Sequence, residues 1–159
     1  MSSDAQSLQT LNVLLDKIAA ERDQAKVYLG ECMARAQAAH TQADELKDYR
    51  SDYEVRWGQR FAKGGTMDLL TCYQNFSGKL EEAILSQGKL SSHADQRVEL
   101  ARTQLLALEM RVTAIQKLID RRRAESERQQ QRQEQKATDE FAARIARNQA
   151  KDGPLKPLQ

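Results

Sequence analysis

The chain has 159 residues, of which 30% are charged and 5% aromatic, with 2 prolines, 7 glycines and a mean hydropathy of -0.76. An ordinary domain of this length buries roughly 70% of its extended-chain surface; this composition instead suits long solvated helices with a thin apolar stripe, which excludes a large core and places function on surfaces. The formal net charge of +2, from 25 basic and 23 acidic residues, is too small to argue for nucleic acid across the whole chain.

Ser3 and Gln6 have the spacing of a capping box and predict a first helix over residues 4–60. Within it Leu11, Leu15, Ile18, Arg22, Ala25, Leu29, Cys32, Ala36, Ala39, Ala43, Leu46, Arg50, Tyr53 and Trp57 recur by fours and threes, and only Arg22 and Arg50 are not apolar. A repeat of period 3.5 keeps one narrow seam against a partner helix, as a coiled coil requires. Such a helix would reach about 80 Å at the standard rise per residue. Residues 61–67 hold Gly64 and Gly65, which supply left-handed backbone for a tight turn, and Thr66 can cap a second helix beginning just after it.

That second helix is predicted over residues 68–123. Its seam runs Leu69, Tyr73, Phe76, Leu80, Ile84, Gln87, Ser91, Ala94, Val98, Ala101, Leu105, Leu108, Val112, Ile115 and Ile119. Two successive steps of four, Phe76 to Leu80 to Ile84, make a stutter that unwinds the supercoil locally and is expected to leave Leu80, with Ala83 or Ile84, partly exposed. With Trp57 opposite Leu69, paired residue numbers add to about 126, which places Cys32 near Ala94 and Ser3 near Arg123. Residues 124–150 would then continue as polar helix without a partner, with Arg128, Arg132 and Lys136 as a basic stripe and Phe141 and Ile145 on a short apolar face. Gly153, Pro154 and Pro157 predict a frayed tail over 151–159. The fold class is all-α, a long antiparallel two-helix coiled-coil hairpin with a C-terminal helical extension.

Nothing in the sequence has the spacing of a catalytic constellation, and the chain reads as a non-enzyme that needs no cofactor and no metal. Lys63-Gly64-Gly65 lacks the spacing of a phosphate loop and follows no strand. His40 and His93 have no ligand partner one turn away beyond Asp44, and Cys32 and Cys72 fall far apart along the hairpin, which excludes a disulfide between them. The first residues lack a basic, apolar leader and no 18-residue apolar run occurs, so a cytoplasmic protein without direct membrane insertion is expected.

Two surfaces invite a functional reading. Tyr49, Tyr53 and Trp57, with Tyr73 and Phe76 returning beside them, form either the apolar cap of the coiled coil or an aromatic recognition patch. The run Arg121–Lys136 is either a solvated extension or a surface for an acidic protein; it lacks the interleaved aromatics that stack on bases, and no nucleic-acid partner is expected.

Four segments in fixed order around the glycine turn carry a family resemblance. They are Asp44-Glu-Leu-Lys-Asp-Tyr-Arg-Ser-Asp-Tyr53, Tyr73-Gln-Asn-Phe-Ser-Gly-Lys-Leu-Glu-Glu-Ala-Ile84, Lys117-Leu-Ile-Asp-Arg-Arg-Arg123 and Glu134-Gln-Lys-Ala-Thr-Asp-Glu-Phe-Ala-Ala-Arg144. Together they resemble the FliJ family of flagellar export proteins over nearly the whole chain. The resemblance implies a small cytoplasmic antiparallel coiled coil, similar to the central stalk of rotary ATP synthases, in the flagellar type III export apparatus at the inner face of the cell membrane. It implies three partners: the hexameric export ATPase, the cytoplasmic linker of the export-gate membrane protein, and export chaperones. By motif, the gate-contacting cluster falls on Gln42, Leu46, Tyr49, Tyr53, Phe76, Leu80, Ala83 and Gln87. Gln87 stands where relatives carry a histidine. Position and charge alone suggest Arg121, Arg122, Arg123, Arg128 and Arg132 for the ATPase. A stalk protein of a non-flagellar secretion system, or a generic coiled-coil adaptor or chaperone, would share the same architecture.

Overall fold

The structure, a computed structural model, describes residues 2–153. Two helices, α1 (Ser2–Ala62) and α2 (Met67–Lys151), account for nearly all of it and pack against each other in an all-α arrangement. Helix α1 begins two residues ahead of the expected Asp4, so Ser3 lies inside its first turn and a Ser3–Gln6 capping box does not open it. The Gln6 carbonyl instead accepts the Thr10 hydroxyl at 2.9 Å. At the other end, α2 continues through Lys151, the first residue of the tail expected over 151–159, and residues 154–159 of that tail lie outside the described residues.

The described chain divides into two compact units, Ile18–Arg111 and the residues of 2–17 with 112–153. In the first unit the reversal takes only residues 63–66. Helix α1 tightens as it ends, with the Lys63 amide donating to the Arg60 carbonyl at 3.2 Å and the Gly64 amide to Phe61 at 3.1 Å. Gly64 then adopts φ 101°, a region that side chains disfavour. Gly65 leaves room for the Phe61 ring, since a Cβ there would lie 2.9 Å from it. Thr66 caps α2 by accepting the Leu69 amide on its Oγ1 at 3.3 Å.

Period 3.5 decides which side chains are covered. Every seam position of α1 from Ile18 to Trp57 is buried or half-buried in this unit, whereas Val27, Val55 and Leu100, equally apolar but off the seam, are 65%, 58% and 66% exposed. The tightest core is made of small side chains: Cys32 and Ala36 bury against Val98 and Ala101, with Leu29 and Ala94 packed at the edge. Beside it, the Ser91 hydroxyl and the Gln87 Nε2 both donate to the Ala39 carbonyl, at 3.1 and 3.0 Å. Arg50, an interruption of the seam, donates to Glu81 at 2.8 Å and so needs no burial of an unpaired charge.

The register departs from a constant pairing sum. Near the turn Tyr53 stacks on Tyr73 as a sum of 126 requires, but farther along Ala39 meets Ser91 as well as Gln87, and Cys32 packs with Val98. The difference is about one helical turn, and its cause is the stutter: α2 inserts a second step of four between Phe76 and Ile84 that α1 does not match. The same insertion corrects the expectation for Leu80. Its side chain turns inward and is 7% exposed.

In the second unit Ile119 is fully buried, and Arg122 donates to the Ser7 hydroxyl. Asp4 and Leu8 share a shallow groove with Arg122, Glu125, Ser126 and Gln129, so α2 has company for about one turn beyond the expected Arg123. From Asp120 to Gly153 every residue is exposed.

Replacing Gly64 by alanine should destabilise the chain by about 1 kcal/mol in urea unfolding, because the left-handed backbone is retained at a cost. Gly30→Ala should act in the opposite sense by a similar amount, because Gly30 lies within α1 and an added methyl there meets nothing within 4 Å.

Candidate functional site

The first surface is the aromatic turn end of the Ile18–Arg111 unit. Steps of four along α1 put Tyr49, Tyr53, Trp57 and Phe61 on one side, and the short reversal returns Tyr73 and Phe76 to them. Tyr53 lies at the centre: its ring is 5.6 Å from Tyr73 in a stack, 4.6 Å from Phe76, 5.9 Å from Trp57 and 6.3 Å from Tyr49. Phe61 closes the cluster toward the turn, 5.3 Å from Trp57 and 5.8 Å from Tyr73. The Arg60 guanidinium lies 5.6 Å over the Trp57 ring, a cation–π contact. Each favourable ring pair adds about 0.5–1.5 kcal/mol beyond burial, so the cluster fixes its own shape.

Partial burial pushes the Tyr53 hydroxyl above the ordinary phenol range, and the neighbouring Tyr49 and Tyr73 act in the same direction against a lowering hydrogen bond with Trp57. Tyr53 is half-buried at the centre of these rings. The rim is different: Tyr49 is 50% exposed and Phe76 40%, which offers two aromatic faces to a partner.

The eight residues assigned to a gate-binding cluster thus separate. Gln42, Tyr49, Phe76 and Ala83 are exposed; Leu46, Tyr53 and Gln87 are half-buried. Gln87 has its amide nitrogen committed to the Ala39 carbonyl. Leu80 is buried beneath them, so its expected exposure is overturned, and it supports this surface from below. Phe61 was not among the expected residues, although its spacing of four from Trp57 could have placed it there.

The second surface belongs to the terminal unit. Arg121, Arg128 and Arg132 line one side of an open groove of about 370 Å³ with Ala124, Glu125 and Gln129. Arg122 is turned to Ser7 and Arg123 is exposed. Farther on, Phe141 and Ile145 are 65% and 43% exposed.

Cys32 is buried and Cys72 exposed, both as free thiols. His40 holds both carboxylate oxygens of Asp95 at 2.9 Å across the helices, a pairing invisible to a search one turn away along α1. Among the described residues no three His, Cys, Asp or Glu side chains gather as metal ligands, and no helix is long and apolar enough to cross a membrane.

Leu80→Ala should lower stability by about 2–3 kcal/mol in urea unfolding, as a deleted core side chain does, whereas Tyr49→Ala should cost under about 1 kcal/mol. Alkaline pH gives a second check. Folded Tyr53 keeps its proton above the unfolded value of 10.0, so its contribution is complete below that pH and is lost as pH rises through the folded value. Unfolding free energy should therefore decline as the pH rises past about 10, and less steeply in Tyr53→Phe.

The sequence profile of the family described as "Flagellar FliJ protein" matches residues 7–151. A flagellar FliJ protein of Salmonella typhi is 33% identical over 140 residues, covering 88% of this chain and 93% of that protein. The flagellar FliJ protein of Escherichia coli strain K12 is 31% identical over the same length and shares. No solved structure matches the chain significantly. The aromatic turn, the seam and the basic C-terminal segment all lie within the matched span, and the chain belongs to the FliJ family of flagellar proteins.

Proposed function

We propose that this protein is a non-enzymatic, cytoplasmic component of the flagellar type III export apparatus, a stalk-like coiled coil that connects the export ATPase to the export gate. Family membership supports the flagellar, export-related part of this reading. The gate partner is the cytoplasmic linker of the gate membrane protein, met by the aromatic turn end. The observation in favour is the exposed rim, Tyr49 and Phe76, held on an interior of stacked rings: large flat side chains that lose little freedom on binding are the usual anchors of protein interfaces.

The ATPase partner is met by the exposed arginines of the terminal unit, where Arg121, Arg128 and Arg132 share one groove and can pair with carboxylates. Export chaperones are a third partner class, for which no residue is assigned. No bond is made or broken by the protein in this role; it positions two machines by binding each.

Tyr49→Ala combined with Phe76→Ala should leave helicity by circular dichroism unchanged and weaken binding to the gate's cytoplasmic linker by about 2 kcal/mol or more. Full binding with the rim removed would refute the gate assignment. Arg128→Glu with Arg132→Glu should abolish stimulation of the export ATPase while leaving linker binding intact; undiminished stimulation would remove these arginines from the ATPase contact.

A further inference from the structure

Small side chains in the middle of the Ile18–Arg111 unit leave a groove of about 420 Å³ between the helices. Ala38 and Ala94 form its apolar walls, Leu90 overhangs it at 59% exposure, and Arg35, Arg97 and His93 border it. The placement of the arginines derives from the seam. Arg35 directly precedes Ala36 and Arg97 directly precedes Val98, and in an antiparallel pair the positions that precede seam residues share one side of the hairpin.

The lining of the groove itself holds Arg35, Arg97 and His93 and no carboxylate. Positions that come after seam residues occupy the opposite side, and there the charges match: His40 meets Asp95. On the groove side, two arginines stand on facing helices, and among the described residues neither has a carboxylate within ion-pair distance. Two arginines without a carboxylate partner, beside an apolar, small-walled groove, are complementary to an acidic partner.

We propose that this groove is a docking site for an amphipathic helix of a partner protein, one whose apolar stripe is flanked on both sides by glutamate or aspartate. The stripe rests on Ala38, Ala94 and Leu90, and the two acidic flanks meet Arg35 on α1 and Arg97 on α2. A helix suits the site because the groove runs between two helices and its alanine walls permit close approach. Gln42 and Gln87 border the same groove, so it shares two residues with the cluster assigned to the gate, and the substitutions that test it leave both unchanged.

The test uses the full chain and hydrocarbon-stapled helical peptides of roughly three heptads, carrying one Leu/Ala stripe and flanked by Glu, by Gln or by Lys. Binding is read by fluorescence anisotropy. The Glu peptide should bind about tenfold more tightly than the Gln peptide, with the advantage shrinking as salt is raised. Arg35→Glu with Arg97→Glu should reverse the preference toward the Lys peptide. Arg102→Glu with Arg144→Glu, the same change in net charge placed elsewhere, should keep the preference for Glu. Helicity by circular dichroism verifies that each variant is folded, and Arg35→Gln with Arg97→Gln, which should bind Glu and Gln peptides equally, serves if the reversed pair is not. Equal binding of the Glu and Gln peptides by the native chain would overturn the proposal. So would a preference that survives the loss of Arg35 and Arg97, or one that vanishes in the control pair. Linker binding by these variants is scored separately, so failure here leaves the gate reading standing.

Discussion

A seam that places one side chain per turn against a partner helix is the constraint on which the rest depends. It buries little area per layer, and in the middle of the Ile18–Arg111 unit those layers are Cys, Ala, Ser and Val. Each buried methylene contributes only about 0.8 kcal/mol, so stability has to accumulate over many layers and few can be spared. Polar residues that enter the seam are therefore satisfied on the spot. Ser91 and Gln87 bond the Ala39 carbonyl, and Arg50 reaches Glu81. A seam this thin also leaves apolar residues such as Val27 and Leu100 outside without consequence for the fold.

Where the seam changes step, the surface changes character. The stutter between Phe76 and Ile84 adds a turn to α2 that α1 lacks, which resets the pairing and draws Leu80 inward. On its turn side the layers are rings; on the other they are small side chains. The rings stack into a rigid cluster that holds Tyr49 and Phe76 at its rim, whereas the small side chains leave a groove bordered by Arg35 and Arg97. Two kinds of surface thus arise from one repeat by varying the size of the side chains that fill it.

The terminal unit obeys the same rule at its limit. Once the seam ends at Ile119, fully buried, every described residue of α2 beyond it is exposed, Arg121, Arg128 and Arg132 among them. An all-exposed helix of this kind draws its order from continuity with the packed segment before it and from pairs one turn apart, such as Gln135 with Asp139 at 3.0 Å.

The sequence by itself determined the two helices, the turn and the identity of nearly every buried position, because period 3.5 names the residues on a seam and Gly64, Gly65 and Thr66 have few other uses between long helical patterns. It also placed the aromatic residues together, since steps of four from Tyr49 to Trp57 share a helix face. The tertiary structure alone decided which partners those faces meet. Leu80 is inside because a four-residue insertion shifts one helix against the other, and only packing resolves which of two near-equivalent directions a side chain takes. His40 with Asp95, Arg50 with Glu81, and the unmatched Arg35 and Arg97 were equally out of reach: cross-helix partners are set by register, and register is a property of two segments in contact, which no local pattern in either one contains.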